Sequence, residues 1–469
     1  MGRFIDNQLS CDRASQVYSS LSYKKAPIPL QSGLISLRAL TRKLLREGWL
    51  FSRMRQEIER TQHLSSGDLT VWREAMLGEV LAFATRHVPF YRDLVLAEAI
   101  ADATPSEALE AFPVIDKASV RDNADRFVAE NAKRPLFKGS TSGTTGSPLS
   151  LLQDLDAINR ENAFIWRQLT WAGLKRGNRR AWIRGDLVVP YEIDSPPFWR
   201  KNHAENMLMF SSYHLSEQSA GCYVHALARF DPVLIQAYPS SIGFLARWMA
   251  LSGQRYRGES LKGIVTSSEM LDADTKTVIE DRFGCRVFDW YGQFERVAAI
   301  GTCEQGRQHI VSDYSFVELL PTEDGLFEIV GTGFNNLAMP LIRYRTGDYA
   351  RLDDETTRCG CGRRFPLVAS VRGRADDIVK LPDGRHVGRL GHIFKGVDGI
   401  LEAQIRQDRI DRINILVVPA AGYDGPPAES RLLANARERL GSTVQIRVAV
   451  VDSIERTSSG KLRVVVCNV

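Results

Sequence analysis

The sequence predicts an α/β fold with a separate small C-terminal domain, and three observations support this prediction. Between residues 154 and 374, short apolar runs that end in polar or glycine-bearing turns alternate with stretches able to form helices. After Asp377 the pattern changes to that of a small βαββαβ-like unit. The chain has 469 residues and 44% hydrophobic content, which is enough for a large core divided over more than one domain.

The N-terminal part has a helical pattern. Leucines recur at helical spacing from Leu34 to about Leu94, with basic residues such as Lys43 and Arg46 between them. Such a helix either exposes a solvated basic face or lies on a membrane surface. We expect the solvated face, because it is the commoner arrangement.

Three apolar runs predict parallel strands of the large domain: Val233–Ala237, Gly263–Thr266 and Arg286–Trp290. Each run ends in a polar or glycine-bearing turn. Loops at the carboxyl ends of parallel strands are where α/β sheets bind ligands, so we expect these turns to share one cleft. Two later runs, Val317–Leu320 and Leu326–Val330, are joined through Asp324 and Gly325 and predict an antiparallel hairpin.

The C-terminal unit is predicted from four stretches: a strand Ile413–Val418, a loop Ala420–Pro427, a helix Ser430–Leu440 and a strand Val444–Val451. The predicted domains are a helical region of the large domain at 1–110, a core at 111–375 and a mobile C-terminal domain at 376–469. A metal-binding region at about 303–361 is inserted in the core.

Composition limits the partners. The chain has 61 Lys and Arg against 56 Asp and Glu, a net charge of +5, and no dense basic run, so we do not expect nucleic acid as a partner. The N-terminus lacks an apolar signal core and no stretch reaches bilayer length, so we expect a cytoplasmic protein without stable membrane insertion. Seven cysteines in a chain of this length do not indicate a disulfide scaffold.

The segment Gly139–Pro148 is rich in glycine and hydroxyl side chains. Glycines let consecutive N–H groups turn toward an anion, and the hydroxyls add donors. The segment lacks the Gly-Lys-Ser/Thr of a Walker loop. Taken alone it predicts either a polyphosphate-binding loop or a flexible surface turn.

Four further segments carry residue types that a nucleotide enzyme needs: Tyr291–Glu295, Arg343–Asp348, Gly373–Asp377 and Arg456–Arg463. Each has an ordinary alternative as a surface glutamate, a turn, a charged loop or an exposed tail lysine. Together with the glycine loop, and in this order, they resemble the motifs of the adenylate-forming superfamily. The similarity is greatest to the phenylacetate-CoA ligase group and its CapK-type members, and it runs from about Leu69 to the C-terminus.

The resemblance implies a role for each motif. Glu295 would help hold Mg²⁺ on the ATP phosphates, for which one carboxylate suffices. Asp348 would accept hydrogen bonds from the ribose hydroxyls, Asp376 would be the pivot of an interdomain hinge, and Lys461 would be the catalytic lysine that offsets the repulsion between two anions. The implied ATP or AMP contacts are Ser140, Thr141, Ser142, Gly143, Thr144, Thr145, Gly146, Ser268, Glu269, Tyr291, Gly292, Asp348 and Arg374.

The implied reaction has two steps: a carboxylate and Mg-ATP give an acyl-adenylate and pyrophosphate, and a nucleophile then displaces AMP. The nucleophile is the CoA thiol in a CoA ligase, or an amine or a sugar in the alternative. Tyr238, Ser240, Trp290 and His214 are candidate pocket residues for an aromatic acid, with ordinary core positions as the alternative. His214 is either a general base or a structural histidine.

Cys303, His309, Cys359 and Cys361 form a second constellation. Three thiolates and one imidazole match a closed structural zinc site, although the spacing is not that of a standard zinc finger. Members of the phenylacetate-CoA ligase group carry a similar pair of clusters, which favours zinc.

Two residues depart from the family pattern. Ser147 stands where the glycine loop usually has lysine, and Phe294 stands where Thr or Ser normally precedes the glutamate. Both changes remove polar contacts near the phosphates. They keep open a third hypothesis, a degraded ligase that acts as a binding protein. A homodimer is also left open.

Overall fold

The computed structural model describes residues 5–6, 20–95, 102–140, 149–190, 192–323, 325–353, 358–372, 379–382, 386–387, 390–394, 397, 399–420, 422–457 and 460–469. The chain divides into two compact units. The first contains Met1–Ala14, Ser36–Lys175 and Phe288–Arg372, and the second contains Ser15–Ile35, Arg176–Val287 and Gly373–Val469. The fold is α/β, as predicted.

The N-terminal part is helical, which confirms the prediction for this region. Its helices are Leu21–Lys25, Ile28–Arg46, Trp49–Thr61, Ser66–His87, Pro89–Arg92, Pro105–Glu110 and Lys117–Asp122. The longest begins where the Ser65 hydroxyl accepts a hydrogen bond from the Asp68 amide, an N-cap that satisfies one free helix donor. No helix in the described ranges is long and apolar enough to cross a membrane.

The first unit contains two sheets and the helix Leu155–Trp171. The smaller sheet pairs Phe137–Ser140 with Ile5–Asp6 in parallel and with Ser150–Gln153 antiparallel. The larger is antiparallel, in the order Ser315–Pro321, Phe327–Gly333, Tyr344–Leu352, Leu367–Arg372, Gln308–Ile310, Ala299–Thr302 and Arg286–Gly292. The predicted hairpin is confirmed as its first two strands, while Asp324 lies outside the described residues.

The second unit contains a mainly parallel sheet, in the order Gly263–Ser267, Leu234–Ala237, Arg180–Arg184 and Met207–Ser211, with Trp199–Asn202 antiparallel at the edge. Its helices are Glu217–Phe230, Pro239–Leu251 and Ala273–Phe283. All four residues of the strand Leu234–Ala237 are buried. Parallel strands are covered on both faces, which explains why the sequence of this region consists of short apolar runs.

The C-terminal domain has its own apolar core, which includes Ile405, Ile415 and Leu432. Its four-stranded sheet has the order Gln445–Val450, Arg412–Pro419, Ile400–Arg409 and Val465–Cys467, with a short hairpin of Val379–Lys380 and His386–Val387 and the helix Gly425–Leu440. The helix begins five residues before the predicted Ser430. Prolines occupy its first turn, where their missing N–H groups cost nothing.

Gly139 is fixed by a ring packed on its backbone. A Cβ atom added to Gly139 would lie 2.2 Å from Cζ of Phe294. Phe294 also packs against a core cluster that contains Leu149 and Leu151. The residue that departs from the family pattern therefore has a defined position over the strand that leads into the glycine loop.

We predict that Gly139→Ala lowers the free energy of unfolding by about 1–3 kcal/mol, because it overpacks this contact. Phe294→Ala in the same chain should restore part of the loss, with a coupling of about 1 kcal/mol or more in urea unfolding. Strictly additive effects of the two substitutions would contradict the packing described here.

Candidate active site

Two motif residues far apart in the chain meet in the first unit. The Tyr291 hydroxyl donates a hydrogen bond to the Asp348 carboxylate at 2.8 Å, across 57 positions of sequence. The Gln293 amide donates to the same hydroxyl. Burial, reinforced by the charge of Asp348, raises the pKa of Tyr291 well above its usual value, so the phenol stays a proton donor.

Glu295 is buried and contacts the strand Tyr344–Leu352. Only 5% of it is exposed, and its carboxylate accepts a hydrogen bond from the Tyr344 hydroxyl at 3.2 Å. Tyr344 and Asp348 both lie on the strand Tyr344–Leu352. One strand therefore carries Asp348 and the tyrosine that contacts Glu295, so two motifs read separately in the sequence are connected through this strand.

The structure describes only the residues that flank the glycine loop. Ser140 and Ser150 are paired at the ends of two antiparallel strands, and Thr141, Ser142, Gly143, Thr144, Thr145, Gly146 and Ser147 lie outside the described residues, as do Arg374 and Asp376. Their phosphate-binding, nucleotide-binding and hinge roles stay predictions.

The second unit brings polar groups together at the carboxyl ends of its parallel strands. The Arg184 guanidinium donates a hydrogen bond to the Ser268 hydroxyl at 2.7 Å and lies over the rings of Trp182 and Tyr238, 5.0 and 4.8 Å from their centroids. Ser268 has φ 73°, a left-handed conformation that is uncommon for residues other than glycine. Ser268 was expected from the resemblance, whereas Arg184 was missed.

A sequence signal for Arg184 exists. It is a charged residue directly after the apolar run Ala181–Ile183 and before Gly185, the same pattern that marked the other strand ends. Because strand ends converge at one edge of a parallel sheet, such a residue is a candidate ligand contact.

Glu269 holds chain segments together. Its carboxylate accepts hydrogen bonds from the Ser240 amide and hydroxyl, at 2.9 and 3.1 Å, and from the Leu462 amide at 2.8 Å. Burial raises its pKa, and these hydrogen bonds partly oppose that rise. Arg456 contacts both Ser240 and Glu402. Glu269 and Ser240, predicted as nucleotide and acyl contacts, thus bind the segment that carries Lys461.

The backbone next to Lys461 packs closely against the backbone of Gly185. Gly460 has φ 76°, and a Cβ atom there would lie 2.5 Å from Cα of Gly185. The Lys461 amide donates to the Thr457 hydroxyl at 3.1 Å. Lys461 therefore follows a glycine that lies directly on the turn after Arg184.

The other predicted pocket residues are well packed. Tyr238 is buried, and Trp290 packs against the apolar cluster that contains Phe164 and Tyr314. His214 has partners at both ring nitrogens, with Ser211 Oγ at 2.8 Å and the Pro190 carbonyl at 3.1 Å. These contacts favour the core and structural alternatives for Trp290 and His214.

The predicted metal ligands converge. Ligand atoms of Cys303, His309, Cys359 and Cys361 all lie within 4.8 Å of one another. Nδ1 of His309 is 3.0 Å from the Phe365 carbonyl, so a proton on Nδ1 would be donated to that oxygen and Nε2 would face the thiols. Burial lowers the pKa of His309, which favours the neutral, ligating imidazole.

The chain is similar to several known proteins. Protein CapK of Staphylococcus aureus is 23% identical over 95% of this chain and 99% of that protein. The phenylacetate-coenzyme A ligase of Thermus thermophilus is 26% identical over 66% of this chain and 71% of that protein. Residues 381–468 match the CapK C-terminal domain. A crystal structure of 2-hydroxyisobutyryl-CoA ligase shares the fold, with a TM-score of 0.64, 20% identity, and coverage of 87% of this chain and 91% of that chain.

The chain shares its fold with an acyl-CoA ligase, and the order of its motifs resembles that of the adenylate-forming superfamily. In sequence, the chain is similar to CapK and to phenylacetate-CoA ligases. The resemblance seen in the motifs is confirmed.

Proposed function

We propose that this protein adenylates an aromatic carboxylic acid with Mg-ATP and transfers the acyl group to the thiol of CoA. The observation that carries the proposal is the pair of buried contacts in which Tyr291 meets Asp348 and Tyr344 meets Glu295. Named relatives support it. Several are phenylacetate-CoA ligases, and the 2-hydroxyisobutyryl-CoA ligase structure is described as a complex with an acyl-AMP.

The two carboxylates have different proposed roles. Asp348 is an acceptor for the ribose diol, and Tyr291 fixes its orientation. Glu295 supplies the hard oxygen that Mg²⁺ prefers, and bound Mg²⁺ would lower the charge of the phosphates. In the first step a carboxylate oxygen bonds to the α-phosphorus and pyrophosphate leaves; in the second the CoA sulfur bonds to the acyl carbon, AMP leaves and the thiol proton is released.

Arg184 is the side chain that we assign to the acid or its adenylate. The described residues give it a hydroxyl and two aromatic rings as partners, and none of the ion pairs among them includes it. Its guanidinium therefore retains donors for an anionic ligand at the strand ends. The flanking rings of Trp182 and Tyr238 suit a planar acid.

The Cys303, His309, Cys359 and Cys361 cluster fits a structural zinc ion, since four soft or borderline ligands converge and the imidazole is oriented from its other nitrogen. All four positions would be filled by protein. We assign the ion a role in stability only.

For the catalytic lysine, we predict that Lys461→Ala lowers pyrophosphate release by about 10²-fold or more with the best acid of a panel, because the ammonium stabilises the charge that gathers at phosphorus. Binding of Mg-ATP, measured by calorimetry, should be retained. Lys201→Ala removes an exposed lysine and serves as the control. Unchanged adenylation in Lys461→Ala would remove the assigned role.

The acceptor is tested in the same assay. Acyl-CoA formation detected by mass spectrometry supports the CoA proposal. If product forms only with an amine or a sugar, that compound and not CoA is the acyl acceptor. No Mg-ATP binding with any acid present would overturn the enzyme proposal in favour of a binding protein.

For Arg184, we predict that Arg184→Ala raises KM for the acid by about tenfold or more with little change in KM for ATP, because the substitution removes a charged hydrogen bond to the acid. Arg184→Lys should recover only part of the loss. Arg179→Ala is the matched control, since Arg179 precedes the same strand at its other end and pairs with Asp231. Equal effects on both KM values would contradict the assignment.

For the metal cluster, we predict about one zinc per chain in purified protein and none after Cys359→Ser with Cys361→Ser. The double variant should also melt at a lower temperature, which is a readout independent of activity. Metal-free wild type with unchanged melting after zinc addition would contradict a structural zinc.

A further inference from the structure

The helix Ile28–Arg46 is apolar on two opposite faces. Its inner face is covered, and Ile35 and Ala39 are buried there. Its outer face carries six leucines in the exposed class, which we call the leucine stripe: Leu30, Leu34, Leu37, Leu40, Leu44 and Leu45. The first five recur at intervals of three and four residues and Leu45 follows Leu44 directly, which places all six on one side of the helix.

The leucine stripe is strongly exposed. Leu37 is 60% and Leu44 71% exposed, and Trp49, at the start of the next helix, is 76% exposed. Single exposed leucines are ordinary, but a continuous apolar row along a helix of about 28 Å is a feature of interaction surfaces. The sequence led us to expect a solvated basic face here; the structure instead exposes the leucines and leaves Arg38 and Lys43 only partly exposed beside them.

Charge decides which partner this surface fits. The helix Ile28–Arg46 contains four basic residues and no aspartate or glutamate: Arg38, Arg42, Lys43 and Arg46. A second copy of the chain that paired through the stripe would bring two such positive segments together. An anionic lipid surface would instead complement them, while its acyl region accepts the leucines.

We propose that the helix Ile28–Arg46 is an interfacial helix that lies on the surface of an anionic membrane, with the leucine stripe inserted at the boundary of headgroups and acyl chains. Leu, Trp and flanking Lys and Arg are the composition of such helices. Trp49 lies at the end of the stripe, where an indole suits the interface. Since no described helix can cross a membrane, the contact is peripheral.

The test is flotation of the full-length protein with lipid vesicles. Vesicles of phosphatidylglycerol and phosphatidylcholine should carry the wild type upward, vesicles of phosphatidylcholine alone should carry much less, and high salt should reduce the binding. Leu37→Ser with Leu44→Ser should lower the partition coefficient by about tenfold or more, because two inserted side chains are lost.

The control is Val71→Ser, which alters a residue of another helix that is 71% exposed, as Leu44 is. Val71→Ser should bind vesicles as the wild type does, and equal melting temperatures of all three proteins will exclude misfolding. Wild type that stays unbound with anionic vesicles overturns the proposal. If the wild type is then a dimer by light scattering and the double variant a monomer, the partner is a second copy instead.

Discussion

The first unit depends on a buried ion pair. Arg167 lies on the helix Leu155–Trp171, and its guanidinium makes two hydrogen bonds with the Asp313 carboxylate, at 2.6 and 2.8 Å, where the two side chains are 2% and 0% exposed. The Thr61 hydroxyl donates a further hydrogen bond to the Asp313 carboxylate, and the Arg167 guanidinium donates one to the Ile58 carbonyl. A buried pair with satisfied neighbours is costly to break, by about 3–5 kcal/mol when one partner is removed. It therefore fixes the helix, its neighbour Trp49–Thr61 and the segment after Gln308–Ile310.

This constraint extends to the metal cluster. The Arg167 guanidinium also lies over the ring of Phe365, 5.5 Å from its centroid, and the Phe365 carbonyl is the partner of His309 Nδ1. Asp313 and His309 are four residues apart in the same segment. The ion pair thus positions the backbone that orients the imidazole. A metal bound there would stabilise the same segment from its other side, which agrees with a structural role.

The strands and the hairpin were predictable from the sequence because each depends on local pattern, and the acidic residues of the site stay predictions from short motifs. The sequence did not predict the Tyr344 contact of Glu295 or the binding of Lys461's segment by Glu269, because these depend on which distant groups the fold brings together. The leucine stripe shows the same limit. Helical spacing identifies apolar positions, but only packing decides which of two apolar faces is covered.

Phe294 bears on whether the site is degraded. The Phe294 ring fills the space above Gly139, where no Cβ could fit. The ring and the glycine therefore act as a complementary pair that supports the strand entering the glycine loop. The neighbouring Glu295 is buried and has a tyrosine partner, so the phenylalanine at 294 is accommodated without displacing this carboxylate to the surface. The departure from the family pattern at Phe294 is therefore compatible with the ligase function proposed above.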